Sequence, residues 1–224
     1  MRARPLGDSA LLLDWPNSAE EIANRRARVL FEWLNRSPPP GLFEAIPAAR
    51  SLLVLYDPRT FPKDDVVARA GTVQNQFAIL PQPRSIELPV VYGGAFGVDL
   101  AQAAAERNLS EQGFVDIHSG AVYTVAFLGF APGFPYLSGL PSSIALARLP
   151  APRVRVPQGS VAIAGRYCGI YPSSTSGGWR LIGRTPVRLF DHCRQAPARL
   201  SPGDHVRFRP VEAGRFDELA RRPA

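Results

Sequence analysis

Beyond Ala121 the chain breaks into short apolar runs punctuated by glycine and proline: VYTVAFLGF, RVRVPQGSVAIAG, CGIYP, WRLIGRTPVRLF and DHVRFRPV. Proline cannot donate to a central ladder, and glycine weakens any regular element it interrupts. Such punctuation allows strands of a few residues joined by tight turns and predicts an all-β barrel. Gly165 and Gly183 stand where barrel strands would bend.

Before Ala121 the sequence alternates between strand and helix patterns. SALLLDW reads as a strand. NSAEEIANRRARVLFEWLNRS reads as a helix, with Ile22, Val29, Leu30 and Trp33 at helical spacing. Ser18 and Glu21 have capping-box spacing, and PPPG at 38–41 ends the run. The strands LFEAIPA and SLLVLYD follow. A second helix from about Pro62 sets Val66, Ala70, Val73 and Phe77 on one face. RSIELPVVYG is the next strand, and the order β-α-β-β-α-β is the split-βαβ, ferredoxin-like pattern. The tract LPQPRS at 80–85 predicts a boundary between an α+β domain over 1–84 and a barrel domain over 85–224. Two short helices open the second part. One starts at Asp99 with Gln102 in capping-box position, the other at Ser110.

The formal net charge is +7, yet Arg25-Arg26 and Arg221-Arg222 are the sole adjacent basic pairs and Lys63 the sole lysine. A dispersed charge of this kind argues against nucleic acid and fits an acidic partner or an anionic substrate. The apolar runs ALLLDW and SLLVLY are too short to span a bilayer, and the N-terminal stretch lacks the features of a signal peptide. Cys168 and Cys193 lack CxxC spacing, which predicts a reduced, cytoplasmic setting. His118, His192 and His205 show no metal-ligand spacing, so no metal is expected.

Four segments are candidates for chemistry. In LGFAPGFPYL, Phe130, Phe134 and Tyr136 ride on backbone built from Gly129, Pro132, Gly133 and Pro135. The loop either plugs a barrel end or forms a preorganised wall for a flat ligand. In HSGAVYTV, His118 is either a satisfied core histidine or a proton-transfer group, with Tyr123 in the next strand. In PRVRVPQGSVAIAG, Arg153 and Arg155 share a strand face and suit a carboxylate or phosphate, or simply a solvated face. Gly159 and Ser160 form a turn whose N–H groups suit an anion. In CGIYPSSTSGGWRLIGRTP, Gly177-Gly178 precede Trp179 in a ligand loop or a plain hairpin. A P-loop, a Rossmann fingerprint and a G-x-S-x-G elbow are all missing from the sequence. Lys63 sits at a predicted helix start, outside any biotin-acceptor setting or serine-lysine motif, so no biotin is expected on this chain.

HSGAVYTVAFLGFAPGFPYLSGLP, PRVRVPQGSVAIAG and GIYPSSTSGGWRLIGRTPVRLF together resemble the carboxyltransferase C/D family, from the first strand to PGDHVRFRPV. That family contains the B component of 5-oxoprolinase, allophanate hydrolase subunit 1 and the kinase inhibitor KipI. The resemblance implies a small N-terminal α+β domain followed by a cyclophilin-like β-barrel. It implies work in a complex with a sister protein of related barrel, the C-type component, and with a third, A-type component. In that complex ATP cleavage drives opening of 5-oxoproline to glutamate. The alternatives it leaves are kinase inhibition and a carboxyltransferase role in urea-amide metabolism. Under it, Arg153 would hold a carboxylate or phosphate, His118 would transfer a proton and Tyr123 would supply a hydroxyl. Phe130, Pro132, Gly133, Phe134 and Tyr136 would form the wall, with Pro157, Gly159, Ser160 and Trp179 also against the ligand. Relatives carry QTGIYP and SPGGW where this chain has Tyr167-Cys168 and Ser176 before its glycines; if the usual Gln and Thr contact substrate, the ligand differs here.

Overall fold

The computed structural model describes residues 1–221, so Arg222 of the second basic pair lies outside it. The chain divides into two compact units, Met1–Gln82 and Pro83–Ala224. Among the described residues no helix is long and apolar enough to cross a membrane.

The first unit contains β1 (Arg2–Pro5), β2 (Ala10–Asp14), α1 (Glu20–Arg36), β3 (Leu42–Pro47), β4 (Ser51–Tyr56) and α2 (Lys63–Val73). Its sheet has the order β1-β2-β4-β3 with antiparallel neighbours. Leu11, Leu13, Leu52, Val54 and Tyr56 alternate onto the buried face, where α1 supplies Ala23, Ala27, Leu30 and Leu34. This differs from the expected ferredoxin-like order. The strand RSIELPVVY, expected to close the sheet, belongs to the other unit, and β1 takes the place beside β2. RARP carries no apolar pattern because ion pairs hold it. Arg2 and Arg4 both bind the Asp14 carboxylate, which they keep below the usual carboxylate range. The capping box also fails. Ala19 is the N-cap of α1, and the Ser18 hydroxyl instead accepts from Arg26.

The second unit contains β5 (Ser85–Tyr92), α3 (Leu100–Ala105), α4 (Glu111–Gly120), β6 (Tyr123–Leu128), β7 (Pro135–Ser138), β8 (Arg153–Val156), β9 (Ser160–Ala164), β10 (Tyr167–Ile170), β11 (Thr175–Gly177), β12 (Arg180–Arg184), β13 (His205–Pro210) and α5 (Phe216–Ala220). Seven of the strands close a barrel in the order β10-β7-β6-β13-β5-β12-β9, and β8 and β11 form a separate ribbon. Among the described residues the single parallel pairing joins β5 to β13, first and last in the barrel by sequence.

One face of the wall packs Leu88, Val90, Val125, Leu137, Val161, Ile163, Cys168, Ile170, Ile182 and Val206 into the main core. α4 adds Phe114, Val115 and His118 to that core. Its N-cap is Ser110 as expected, the hydroxyl accepting from the Gly113 N–H at 3.0 Å. Gly97 lies against β12 so closely that a Cβ would stand 2.1 Å from the Ile182 carbonyl oxygen. Gly97→Ala must push the Gly93–Gly97 turn off the barrel, and overpacking of this kind costs about 1–3 kcal/mol. Urea unfolding of the variant reads that loss directly.

Candidate functional site

The barrel wall has a second, outward face, and a smaller cluster is built on it: Phe134, Val156, Ala162, Tyr171 and Leu181, with Ala131, Tyr136 and Trp179 around them. Alternation produces the division. In β10, Cys168 and Ile170 point into the main core, whereas Gly169 between them lies under two aromatic rings. A Cβ on Gly169 would stand 2.7 Å from Phe134 Cζ and 2.8 Å from Trp179 Cζ3. Glycine here is therefore a requirement of close approach rather than of backbone angle.

The rings meet mostly edge to face, the arrangement their quadrupoles favour. Phe134 contacts Tyr136 and Tyr171 at centroid distances of 5.2 Å and Trp179 at 5.5 Å. Tyr136 in turn meets Trp179 at 5.5 Å and stacks on Phe127 at 4.3 Å.

The loop that carries Phe130 and Phe134 closes on its own backbone. Gly129 N–H donates to the Phe134 carbonyl at 3.1 Å, and Phe134 N–H donates to Ala131 at 2.9 Å. Gly133 has φ +77 and lies on Phe190, so glycine is required there. Phe130 has φ +70, a strained angle for a residue with a side chain, and is 62% exposed. Its ring leans on Phe134 at 5.4 Å and Tyr171 at 6.3 Å. The structure thus brings together Phe130, Phe134, Tyr136 and Trp179. Pro132 is exposed on the same turn.

Arg153 stands beside this cluster. In the ribbon it pairs with Gly177, and Gly177 lies under the Tyr171 hydroxyl, where a Cβ would be 2.2 Å from the phenol oxygen. Burial raises the Tyr171 phenol, against the backbone of Trp179 and the charge of Arg153, which lower it. One Arg153 nitrogen, Nη2, donates to Asp99 Oδ1 at 2.6 Å. The other carboxylate oxygen of Asp99 accepts from the Leu181 N–H at 2.7 Å, tying ribbon to barrel. Nη1 of Arg153 is buried and has no hydrogen-bond partner, and the same holds for Nη1 of Arg180. Asp99 was expected to cap its helix by a capping box with Gln102. Its carboxylate holds Arg153 instead, and Gln102 bonds Glu106. Arg155 does not join the site; it donates to Ser174 Oγ at 3.1 Å.

The turn at Gly159 and Ser160 is not free to bind an anion as expected. Gly159 N–H donates to the Tyr171 carbonyl at 2.7 Å, Ser160 N–H to Pro157 at 3.3 Å, and the Ser160 hydroxyl to the same carbonyl. Pro157 is exposed at the turn and contributes its carbonyl to these bonds.

His118 and Tyr123 lie on the other face of the wall, in the main core. His118 is 0% exposed. Tyr92 Oη is 2.8 Å from its Nδ1, and Cys168 Sγ is 3.4 Å from its Nε2. The Tyr123 hydroxyl donates to the His118 carbonyl at 3.0 Å. Burial raises both phenols and the Cys168 thiol, so all three stay protonated. Burial keeps the imidazole neutral, so one ring nitrogen carries the proton and the other accepts, with Tyr92 and Cys168 as the two partners. The expected proton-transfer role for His118 and hydroxyl role for Tyr123 therefore meet a location sealed from the aromatic wall. Sequence spacing placed the pair close to the loop in the chain, but alternation put them behind it. Asp99 was missed as the partner of Arg153, and Tyr171 as a member of the aromatic cluster. The alternation Gly169-Ile170-Tyr171 was the signal for Tyr171, whereas Asp99 was hidden by its place at a helix start.

Two expectations follow. Burial pushes His118 down to about 3. The unfolded chain takes its proton near the ordinary value of about 6.5, so stability from this group is complete above that pH and is lost as pH falls toward 3. Urea unfolding should show a pH slope from this site of up to ~1.4 kcal/mol per unit in that window. His118→Gln, which cannot titrate, should flatten it; parallel slopes for the two proteins would count against the assignment. Separately, Phe130→Gly removes a left-handed strain of ~1 kcal/mol, so its unfolding midpoint should hold or rise. A loss of ~3 kcal/mol would instead mark the ring as ordinary core.

A family model described as "Carboxyltransferase domain, subdomain C and D" matches residues 1–200. The chain is 46% identical to the B component of 5-oxoprolinase from Escherichia coli O157:H7, over 93% of this chain and 95% of that one. It is 40% identical to the protein of the same name from Bacillus subtilis strain 168, over 91% and 90%. Among solved structures it superposes on TTHA0988 with a TM-score of 0.80 and 40% identity, covering 91% of this chain and 40% of that longer one.

Proposed function

Because the chain belongs to the carboxyltransferase subdomain C and D family, we propose that it is the B-type component of an ATP-dependent 5-oxoprolinase, which opens 5-oxoproline to glutamate. The observation that carries this reading is the end-to-end likeness to two proteins of that name. In this reading the barrel is cyclophilin-like, the setting is cytoplasmic, and the chain works with a C-type component of related barrel and an A-type component.

A lactam is a poor electrophile. Phosphorylating its carbonyl oxygen at the expense of ATP activates the ring carbon. Water adds there, the C–N bond breaks as the nitrogen takes a proton, and a second water hydrolyses the resulting acyl phosphate to glutamate and phosphate. ATP enters as a substrate of the complex, and the chain itself carries no biotin. The half-site on this chain supplies binding. The Nη1 donor of Arg153, braced through Nη2 by Asp99, is the holder for the substrate carboxylate. Phe130, Phe134, Tyr136 and Trp179 give the flat ring a dry, preorganised wall, with Pro132 and Gly133 shaping the turn beneath. His118 and Tyr123 serve as framework, fixing α4 and β6 inside the barrel. Proton transfer then falls to groups of the partner proteins.

The experiment is 5-oxoproline-dependent ATP hydrolysis by the complex recovered with its partners. Arg153→Gln should leave assembly intact and lower kcat/KM by at least ~10-fold, the loss of one charged hydrogen bond. A wild-type complex that assembles yet shows no stimulation by 5-oxoproline overturns the function. An unchanged Arg153→Gln overturns the assigned site alone.

A further inference from the structure

Asp191, His192 and Cys193 follow Phe190 in the connection between β12 and β13, and one ligand atom from each lies within 4.8 Å of the others. We infer that these three side chains form a surface site for a zinc-class divalent cation. Cys193 Sγ and His192 Nε2 are 3.4 Å apart. Bonds of about 2.3 Å to sulfur and about 2.1 Å to nitrogen, at a tetrahedral angle, set such a pair about 3.6 Å apart. Thiolate, imidazole and carboxylate are the donor set that a borderline-soft ion takes, whereas magnesium and calcium call for oxygen alone. Three protein ligands leave the fourth tetrahedral position to water or to a group from a partner.

The site escapes a search by helical spacing because its ligands are consecutive and converge through a turn. The Cys193 N–H donates to Asp191 Oδ1 at 3.1 Å and folds the chain back. Arg188 is the nearest competing cation, 3.5 Å from Asp191 Oδ2, and Arg194 and Arg199 line the same hollow. The Arg188 side chain is 56% exposed, and an ion pair so placed is weak and screened, so it yields to a divalent ion. The neighbouring Phe190 packs on Gly133 of the Phe-rich turn. An ion bound here would pin this connection against that turn.

The test uses the full chain, stripped with chelator and titrated with cobalt(II) and then zinc. One equivalent of cobalt should bind with a thiolate-to-metal charge-transfer band, and zinc should displace it. Cys168 is 0% exposed, so the band reports Cys193. Cys193→Ser should abolish the band. His192→Ala should weaken binding by at least the ~10-fold that even loss of an outer-shell partner costs. A wild-type chain without the band, or zinc affinity equal to that of the Cys193→Ser/His192→Ala double variant, overturns the site.

Discussion

A closed barrel wall has two faces, and each strand must send successive side chains to opposite ones. Every assignment in the second unit depends on this. Where β10 sends Cys168 and Ile170 into the core, it leaves Gly169 to receive Phe134 and Trp179 from outside. Where β9 sends Val161 and Ile163 inward, Ala162 lies under the outer cluster, and in β12 Ile182 and Leu181 divide the same way. Small residues on the outer face let large rings lie close to the wall. The result is an aromatic surface seated on a stiff support, which a loop alone would not give.

Asp99 links that surface to the ribbon. Its carboxylate accepts from the Leu181 backbone and from Arg153, so one buried acid fixes the distance between barrel and guanidinium. A charge-assisted bond in a dry setting is stronger and more directional than an exposed one. Arg153 keeps a second nitrogen unspent while being held in place. Arg155, two residues on, lacks such a brace and bonds Ser174 instead. Residue type alone did not separate them.

Much of the fold was legible because it is written in local chemistry. The Gly/Pro punctuation after Ala121 marked short strands, Ser110 marked a helix start, and the periodicity of Val66, Ala70 and Val73 marked another. The family likeness, carried by three long motifs, agrees with the family match over residues 1–200. What was not legible depends on long-range pairing. β5 joins β13, more than a hundred residues away in sequence, so no local pattern showed that RSIELPVVY leaves the first sheet. β1 is held by the charges of Arg2, Arg4 and Asp14 rather than by apolar alternation. Of the candidate site, the aromatic residues converge. His118 and Tyr123 were near them in sequence only, since adjacency along a strand does not tell which face a residue takes.

The unequal exposure of the two cysteines has a practical side. Cys168 is enclosed in the barrel and Cys193 is open to solvent, so the metal-free chain offers one thiol to a maleimide without any mutation. That thiol stands three residues past Phe190, whose ring rests on the turn holding Phe130. A fluorophore attached there is a built-in reporter next to the aromatic surface, positioned to register whatever comes to rest on it.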